Sequence, residues 1–112
     1  MKCCGKSLHS ATSGVARIIL SRTAYRDLVE IGEYGEAQFG TAAVDAYQEE
    51  IERRFDRLAD YPLIGEVKDA WRPGVRHVPC NQHRIIYRVS GDTVQILRIL
   101  HHSRDVPKHL KP

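Results

Sequence analysis

The sequence predicts an α+β domain of order β-α-α-β-β-β, a helical hairpin packed on a small, mainly antiparallel sheet. Three observations predict it. Two consecutive stretches, 21–39 and 41–60, repeat apolar residues at spacings of three and four, and Phe39-Gly40 parts them. Three β-branched, alternating stretches follow, separated by tight turns at Asn81-Gln82 and Ser90-Gly91-Asp92. A short apolar run at 15–20 precedes the helices. The 112 residues leave room for a single domain, assigned to 15–112. Residues 1–14 are polar, rich in small side chains and without period, as expected of a flexible tail.

The first element, VARIIL at 15–20, is apolar and β-branched and reads as a strand. Ser21 then offers an N-cap to the first helix. Ala24, Leu28, Ile31 and Gly35 share one face of it, while Asp27, Glu30, Glu33 and Glu36 lie off that stripe. Gly32 and Gly35 weaken the helix by about 1 kcal/mol each relative to alanine, and their small size allows close approach of a second helix. Gly40 supplies a helix C-terminus, and Thr41 is positioned to cap the next helix. There Val44, Tyr47, Ile51, Phe55 and Leu58 form the strongest apolar stripe of the chain, opposite Asp45, Glu49, Glu52, Arg53 and Asp56. Pro62 ends it. So short a link between helices requires an antiparallel hairpin.

Residues 61–74 (YPLIGEVKDAWRPG) carry turn residues at both ends and read as a crossing loop. Strands follow at 75–80, 83–89 and 93–100. In the middle one, Ile85, Tyr87 and Val89 face one way, and Arg84, Ile86 and Arg88 the other. The helices are expected to cover the first face and to leave the arginine face toward solvent or a partner. The end, 101–112, reads as a short basic tail.

Charge is unevenly distributed. The chain carries +3 in all, yet residues 23–60 sum to −6 and residues 61–112 to +5. An acidic helical half therefore precedes a basic sheet half. Two readings of the basic half stay open: a surface for nucleic acid or an acidic protein, or simple complementarity between the layers. Cys3, Cys4 and Cys80 are odd in number and lack C-x-x-C spacing, as expected of free thiols in a reducing cytoplasm. No apolar run reaches the length of a membrane span, so no membrane partner is expected.

Motifs for chemistry are sparse. There is no Gly-rich phosphate loop, no G-x-S-x-G and no H-E-x-x-H. Adjacent His101 and His102, if on a strand, point to opposite faces and do not chelate one metal together, so neither a metal nor another cofactor is expected. The basic set is fuller: Arg72, Arg76, Arg84, Arg88, Arg98 and Arg104, with His77, His83, His101 and His102. Such a set can bind phosphates, and a histidine among them can act as acid or base. The same arginines can instead pair with the acidic helices or meet an acidic polypeptide. Trp71, alone in the crossing loop, reads either as a plug over the hairpin core or as a binding anchor.

An ordered series of short motifs resembles the ParE toxin family. Leu20-Ser21-Arg22-Thr23-Ala24, followed by Asp27-Leu28 and Ile31, resembles the family's opening helix, and Phe39-Gly40 its helix end. LADYPLIG at 58–65, Arg72-Pro73-Gly74-Val75-Arg76, HRIIYRV at 83–89 and ILHHSRD at 99–105 resemble its later motifs in order. No single piece is specific; the ordered set, covering about residues 17 to 107, is.

The resemblance implies the ParE/RelE superfamily fold and a type II toxin neutralised by a cognate ParD-like antitoxin, whose C-terminal segment wraps the hairpin and sheet. It also implies DNA gyrase as the target, with blocked replication and no reaction of the toxin's own. Trp71, Arg72, Arg76, Arg84, Arg88, Arg98 and Arg104 are then the candidates for target or antitoxin contact. The RelE-like relatives instead cut mRNA on the ribosome, using basic sheet residues and an acid–base group near the C-terminus. That alternative rests on Arg84, His101, His102 and Arg104. Lys68 is the one lysine between Lys6 and Lys108, and no tyrosine follows Tyr87, which favours the gyrase reading. Direct nucleic-acid binding is left open.

Overall fold

The computed structural model describes residues 16–110, so the expected tail at 1–14 lies outside the described residues. The elements run β1 (Arg17–Leu20), α1 (Arg22–Phe39), α2 (Thr41–Asp60), β2 (Glu66–Val67), β3 (Val75–Cys80), β4 (His83–Ser90), β5 (Thr93–His101) and α3 (Val106–His109). The five strands form one sheet in the order β1-β5-β4-β3-β2. Only the β1–β5 pair is parallel; the other three pairs are antiparallel. The α+β hairpin-on-sheet architecture is as the sequence predicts.

The helices obey their local signals. Ser21 caps α1: its hydroxyl accepts from Ala24 N at 3.0 Å and donates to the Leu97 carbonyl at 2.9 Å. Gly40, at φ 88°, breaks the chain between α1 and α2. The expectation that Thr41 caps α2 is corrected. Thr41 is already helical, the cap position is Gly40 with no side-chain bond, and the Thr41 hydroxyl donates to Glu36 Oε2 at 3.1 Å. The two helices do approach at the small residues. A Cβ on Gly35 would stand 3.0 Å from a Val44 methyl, and one on Gly32 2.9 Å from the Gln48 amide.

The predicted stripes become the main core. Ala24, Leu28, Ile51, Phe55 and Leu58 from the hairpin bury against Ile18, Ile85, Tyr87, Val94, Ile96 and Ile99 of the sheet. Full burial of each Leu, Ile, Val or Phe side chain among them contributes roughly 1.5–3 kcal/mol. Cys80 is a free thiol buried in this core, where burial raises its pKa and keeps it protonated.

Four features depart from the sequence reading. The crossing loop contains the two-residue strand β2, whose partners are Arg76 and His77. The basic tail contains α3. The far sheet face is not simply left open: Val75, Ile86, Leu100, Val106 and Leu110 form a second buried cluster, with Trp71 and Leu97 packed on it. Trp71 therefore closes the face opposite the hairpin rather than plugging the hairpin core. Finally, Asp27, placed off the apolar stripe, is only 7% exposed.

The burial of Asp27 follows from how β5 is bordered. β1 pairs with β5 only from Thr93 to Ile96. A bulge on β5 sets Tyr87 opposite Ile96 and Ile86 opposite Arg98, leaving Leu97 without an opposite residue. Beyond Ile96 the edge of β5 is completed by side chains of α1 and of its N-cap, Ser21. The Ser21 hydroxyl takes the Leu97 carbonyl, and Asp27 Oδ2 accepts from Ile99 N at 3.0 Å. Backbone groups this deep require partners, and α1 supplies them.

Candidate functional site

A groove of about 1070 Å³ opens between the hairpin and the end of the sheet. One wall is apolar and comes from the hairpin: Ile31, Tyr34, Phe39, Val44 and Tyr47. The opposite wall is polar and basic, with His83, Arg98, His101 and Arg104. Tyr34 is 67% exposed and Phe39 73% exposed, so two large apolar side chains stand in solvent at the hairpin tip. Scattered exposed apolar residues are ordinary, but these two line the same groove.

The floor of the groove holds a histidine cluster. The Tyr47 hydroxyl lies 3.1 Å from the Cys80 carbonyl and also hydrogen-bonds His83 Nδ1. A carbonyl only accepts, so with the hydroxyl proton on Cys80 O, His83 Nδ1 donates to Tyr47, and Nε2 is left as the basic nitrogen. Burial raises the Tyr47 pKa to about 12, which keeps that hydroxyl protonated. The His83 ring meets His101 edge-on at 5.5 Å, and His101 stacks on His102 at 4.4 Å. His101 Nδ1 lies 2.7 Å from the Ser103 hydroxyl. Burial lowers the His83 pKa, and the neighbouring His101 and His102 add to that, against a smaller opposite pull from Asp27.

The expectation that His101 and His102 point to opposite faces is corrected. β5 ends at His101, and His102 begins a turn tied to Gln82 O, so strand alternation no longer applies and the rings stack. Among the described residues no group of three or more His, Cys, Asp or Glu is arranged to hold a metal.

The basic candidates divide by location. Arg98 is held inside the fold, its Nε and Nη2 donating to Asp27 at 2.8 and 2.9 Å and its Nη1 to His109 O at 3.1 Å. Arg76 straps the crossing loop, donating to Leu63 O and Gly65 O. Arg104 is exposed at the groove rim. Arg84 and Arg88 share the far sheet face, as alternation predicts, with Arg84 lying over Trp71 at 5.6 Å. Lys68 meets the same ring at 5.5 Å. Arg72 is exposed in the loop before β3. The sequence therefore overlooked Tyr47, His83, Tyr34 and Phe39 as a group, because only the fold brings α1, α2 and the β3–β4 turn to one groove.

A helical hairpin on a mixed sheet, with an open two-walled groove between them, defines a small α+β protein. The particular family follows from comparison. The model of the ParE toxin of the type II toxin–antitoxin system parDE matches residues 18–106. A toxin ParE1 of Mycobacterium tuberculosis is 34% identical over 96 residues, covering 85% of this chain and 98% of that protein. A toxin ParE1 of Caulobacter vibrioides is 34% identical over 91 residues, covering 81% and 94%. The chain belongs to the ParE toxin family. Its fold also matches the structure titled chromosomal ParDE TA system from P. aeruginosa, at TM-score 0.68 and 24% identity, covering 78% of this chain and 96% of that one. A second fold match, at TM-score 0.58 and 17% identity, is the YoeB/ParE toxin from Agrobacterium tumefaciens, with 76% and 96% covered.

Proposed function

We propose that this ParE-family toxin arrests growth by binding and inhibiting DNA gyrase, and that a cognate ParD-like antitoxin neutralises it by direct contact. The observation that carries the reading is the groove: it is broad and open, and its hairpin wall ends in exposed Tyr34 and Phe39. That shape suits a polypeptide partner rather than a small substrate, because exposed aromatics contribute most of their energy when a partner buries them. Family membership supplies the toxin–antitoxin context, and the gyrase target is what the resemblance to ParE toxins implies. The test is a supercoiling assay with purified gyrase. Dose-dependent inhibition, relieved by the antitoxin encoded beside the toxin, is expected. No inhibition at any toxin-to-gyrase ratio would overturn the gyrase reading.

A second reading rests on one specific observation, the packing of His83 against His101 in the groove, with His102 stacked behind His101 and Arg104 at the groove rim. Such a set can move protons and hold a phosphate, as ribosome-dependent mRNA cleavage requires. Translation-coupled mRNA cutting in a cell extract, lost in His101→Ala, supports this reading over the first.

A further inference from the structure

Four cations lie on the far side of the sheet, none of them lining the groove. Arg84 and Arg88 project from β4 on the face of Ile86, and exposed Arg72 lies three residues ahead of Val75, which pairs with Arg88. Exposed Lys108 rides on α3, which packs over the same face through Val106. Among the described residues, the side chains of Arg72, Arg88 and Lys108 make no ion pair, and Arg84 meets only the Trp71 ring. The carboxylate that strand register places among them, Glu66, is already engaged by Lys68 at 3.5 Å and His77 at 3.1 Å. Among the described residues, no carboxylate is therefore paired with these four cations. The buried carboxylate of the hairpin, Asp27, is committed to Arg98.

We propose that this face binds the phosphate backbone of duplex DNA. Charge complementarity sets the class of ligand. Arg84 and Arg88 lie four residues apart on one strand, a span of about 13 Å. Over that length each strand of a duplex presents about four phosphates. A single-stranded ligand fits less well. Single-strand binding relies on aromatic platforms for unstacked bases, and the aromatic of this face, Trp71, is flanked by Lys68, Arg84 and the His77 ring at 5.0 Å. An acidic protein also fits less well. The apolar residues of this face are closed beneath Trp71 and α3, so it offers charge without the exposed apolar centre that protein interfaces use.

The proposal goes beyond gyrase inhibition, and its test contains no gyrase, so failure of one leaves the other standing. The full-length protein is titrated against a short fluorescent duplex of mixed sequence between about 50 and 200 mM salt. Binding whose logarithm falls linearly with log salt is expected. Arg88→Gln and Arg72→Gln are each expected to reduce the slope by about one, uniformly across sequences. Arg53→Gln, on the outer face of α2, is expected to leave it unchanged. Unaltered urea midpoints confirm that the variants fold. Three outcomes overturn the proposal: no duplex binding at the lowest salt, slopes indifferent to Arg72 and Arg88, or tighter binding to single-stranded DNA or polyglutamate than to the duplex.

Discussion

The guanidinium of Arg98 and the carboxylate of Asp27 form a two-pronged ion pair, 2.8 and 2.9 Å, across 71 residues of sequence. Asp27 Oδ2 also accepts from Ile99 N, so one carboxylate joins α1 to the backbone of β5 just where β1 has stopped pairing. Removing one partner of a pair this sheltered leaves an uncompensated charge and an orphaned amide. Asp27→Ala is expected to destabilise the domain by about 3–5 kcal/mol. Asp27→Asn, which keeps one acceptor for Ile99 N, is expected to cost less. Urea unfolding, with midpoints compared at constant slope, checks both; an Asp27→Ala midpoint matching the parent would show that the pair contributes nothing net.

A second cross-chain tie explains the spacing of Pro62, Gly65 and Tyr87. The buried Tyr87 hydroxyl donates to Pro62 O and accepts from Gly65 N, both at 2.8 Å. A Cβ on Gly65 would stand 2.5 Å from that hydroxyl and 2.9 Å from His77 O. Gly65→Ala is therefore expected to destabilise by about 1–3 kcal/mol through overpacking. Tyr87→Phe is expected to cost about 1–3 kcal/mol by leaving buried polar groups unpaired. Thermal melts of the two variants and of the double variant test whether they report one interaction. Full additivity would count against a shared contact.

These two ties also show what was legible in the sequence and what was not. The periodicities of 21–39 and 41–60 foretold α1 and α2, and alternation foretold which side of β4 carries Arg84 and Arg88, because both signals are local. Asp27 gave no local sign of burial, since its partner lies on the far side of the chain. β2 is defined only by pairing with Arg76 and His77, and two residues carry no period of their own. α3 exists because Val106 and Leu110 land on Ile86 and Leu100, a contact that no window of the tail contains. The groove was hidden for the same reason: Tyr34, Tyr47, His83 and His101 belong to four elements. His101 and His102 were misjudged because strand alternation was extended one residue past the end of β5.

The His83 environment makes stability pH-dependent with a definite sign. His83 faces Tyr47 from α2, His101 from the end of β5, His102 from the turn after it, and Asp27 from α1. Burial, helped by the two histidines, lowers its pKa below the ordinary 6.5. Stability is thus full above the unfolded value, where the ring is neutral in both states. As pH falls through 6.5, the unfolded chain takes up a proton that the folded chain resists, and stability declines until the folded pKa is passed. Glu50 and Glu66 have lowered pKa values, from the hydrogen bonds of Arg53 and His77 respectively, so their contributions fade only below the ordinary carboxylate value of 4.5. Urea midpoints are therefore expected to drop between about pH 7 and pH 5.5. His83→Asn should flatten that drop, and an equally steep profile in the variant would assign it elsewhere.

Tyr34 and Phe39 separate binding from folding most cleanly. Both lie at the exposed tip of the hairpin and line the groove, and neither belongs to the buried core. Truncation of an exposed side chain away from caps and ion pairs changes stability by no more than about 0.5 kcal/mol. The same truncation at the centre of an interface costs about 2 kcal/mol or more, roughly thirtyfold in affinity. Tyr34→Ala and Phe39→Ala should therefore melt like the parent yet bind the cognate antitoxin far more weakly, as measured by titration calorimetry. Arg104→Ala, at the polar rim, should act mainly through association rate and its salt dependence. Parent-like antitoxin affinity in the Tyr34→Ala, Phe39→Ala double variant would move the antitoxin contact away from this groove. A loss of affinity matched by a loss of stability would instead show that the aromatics serve the hairpin itself.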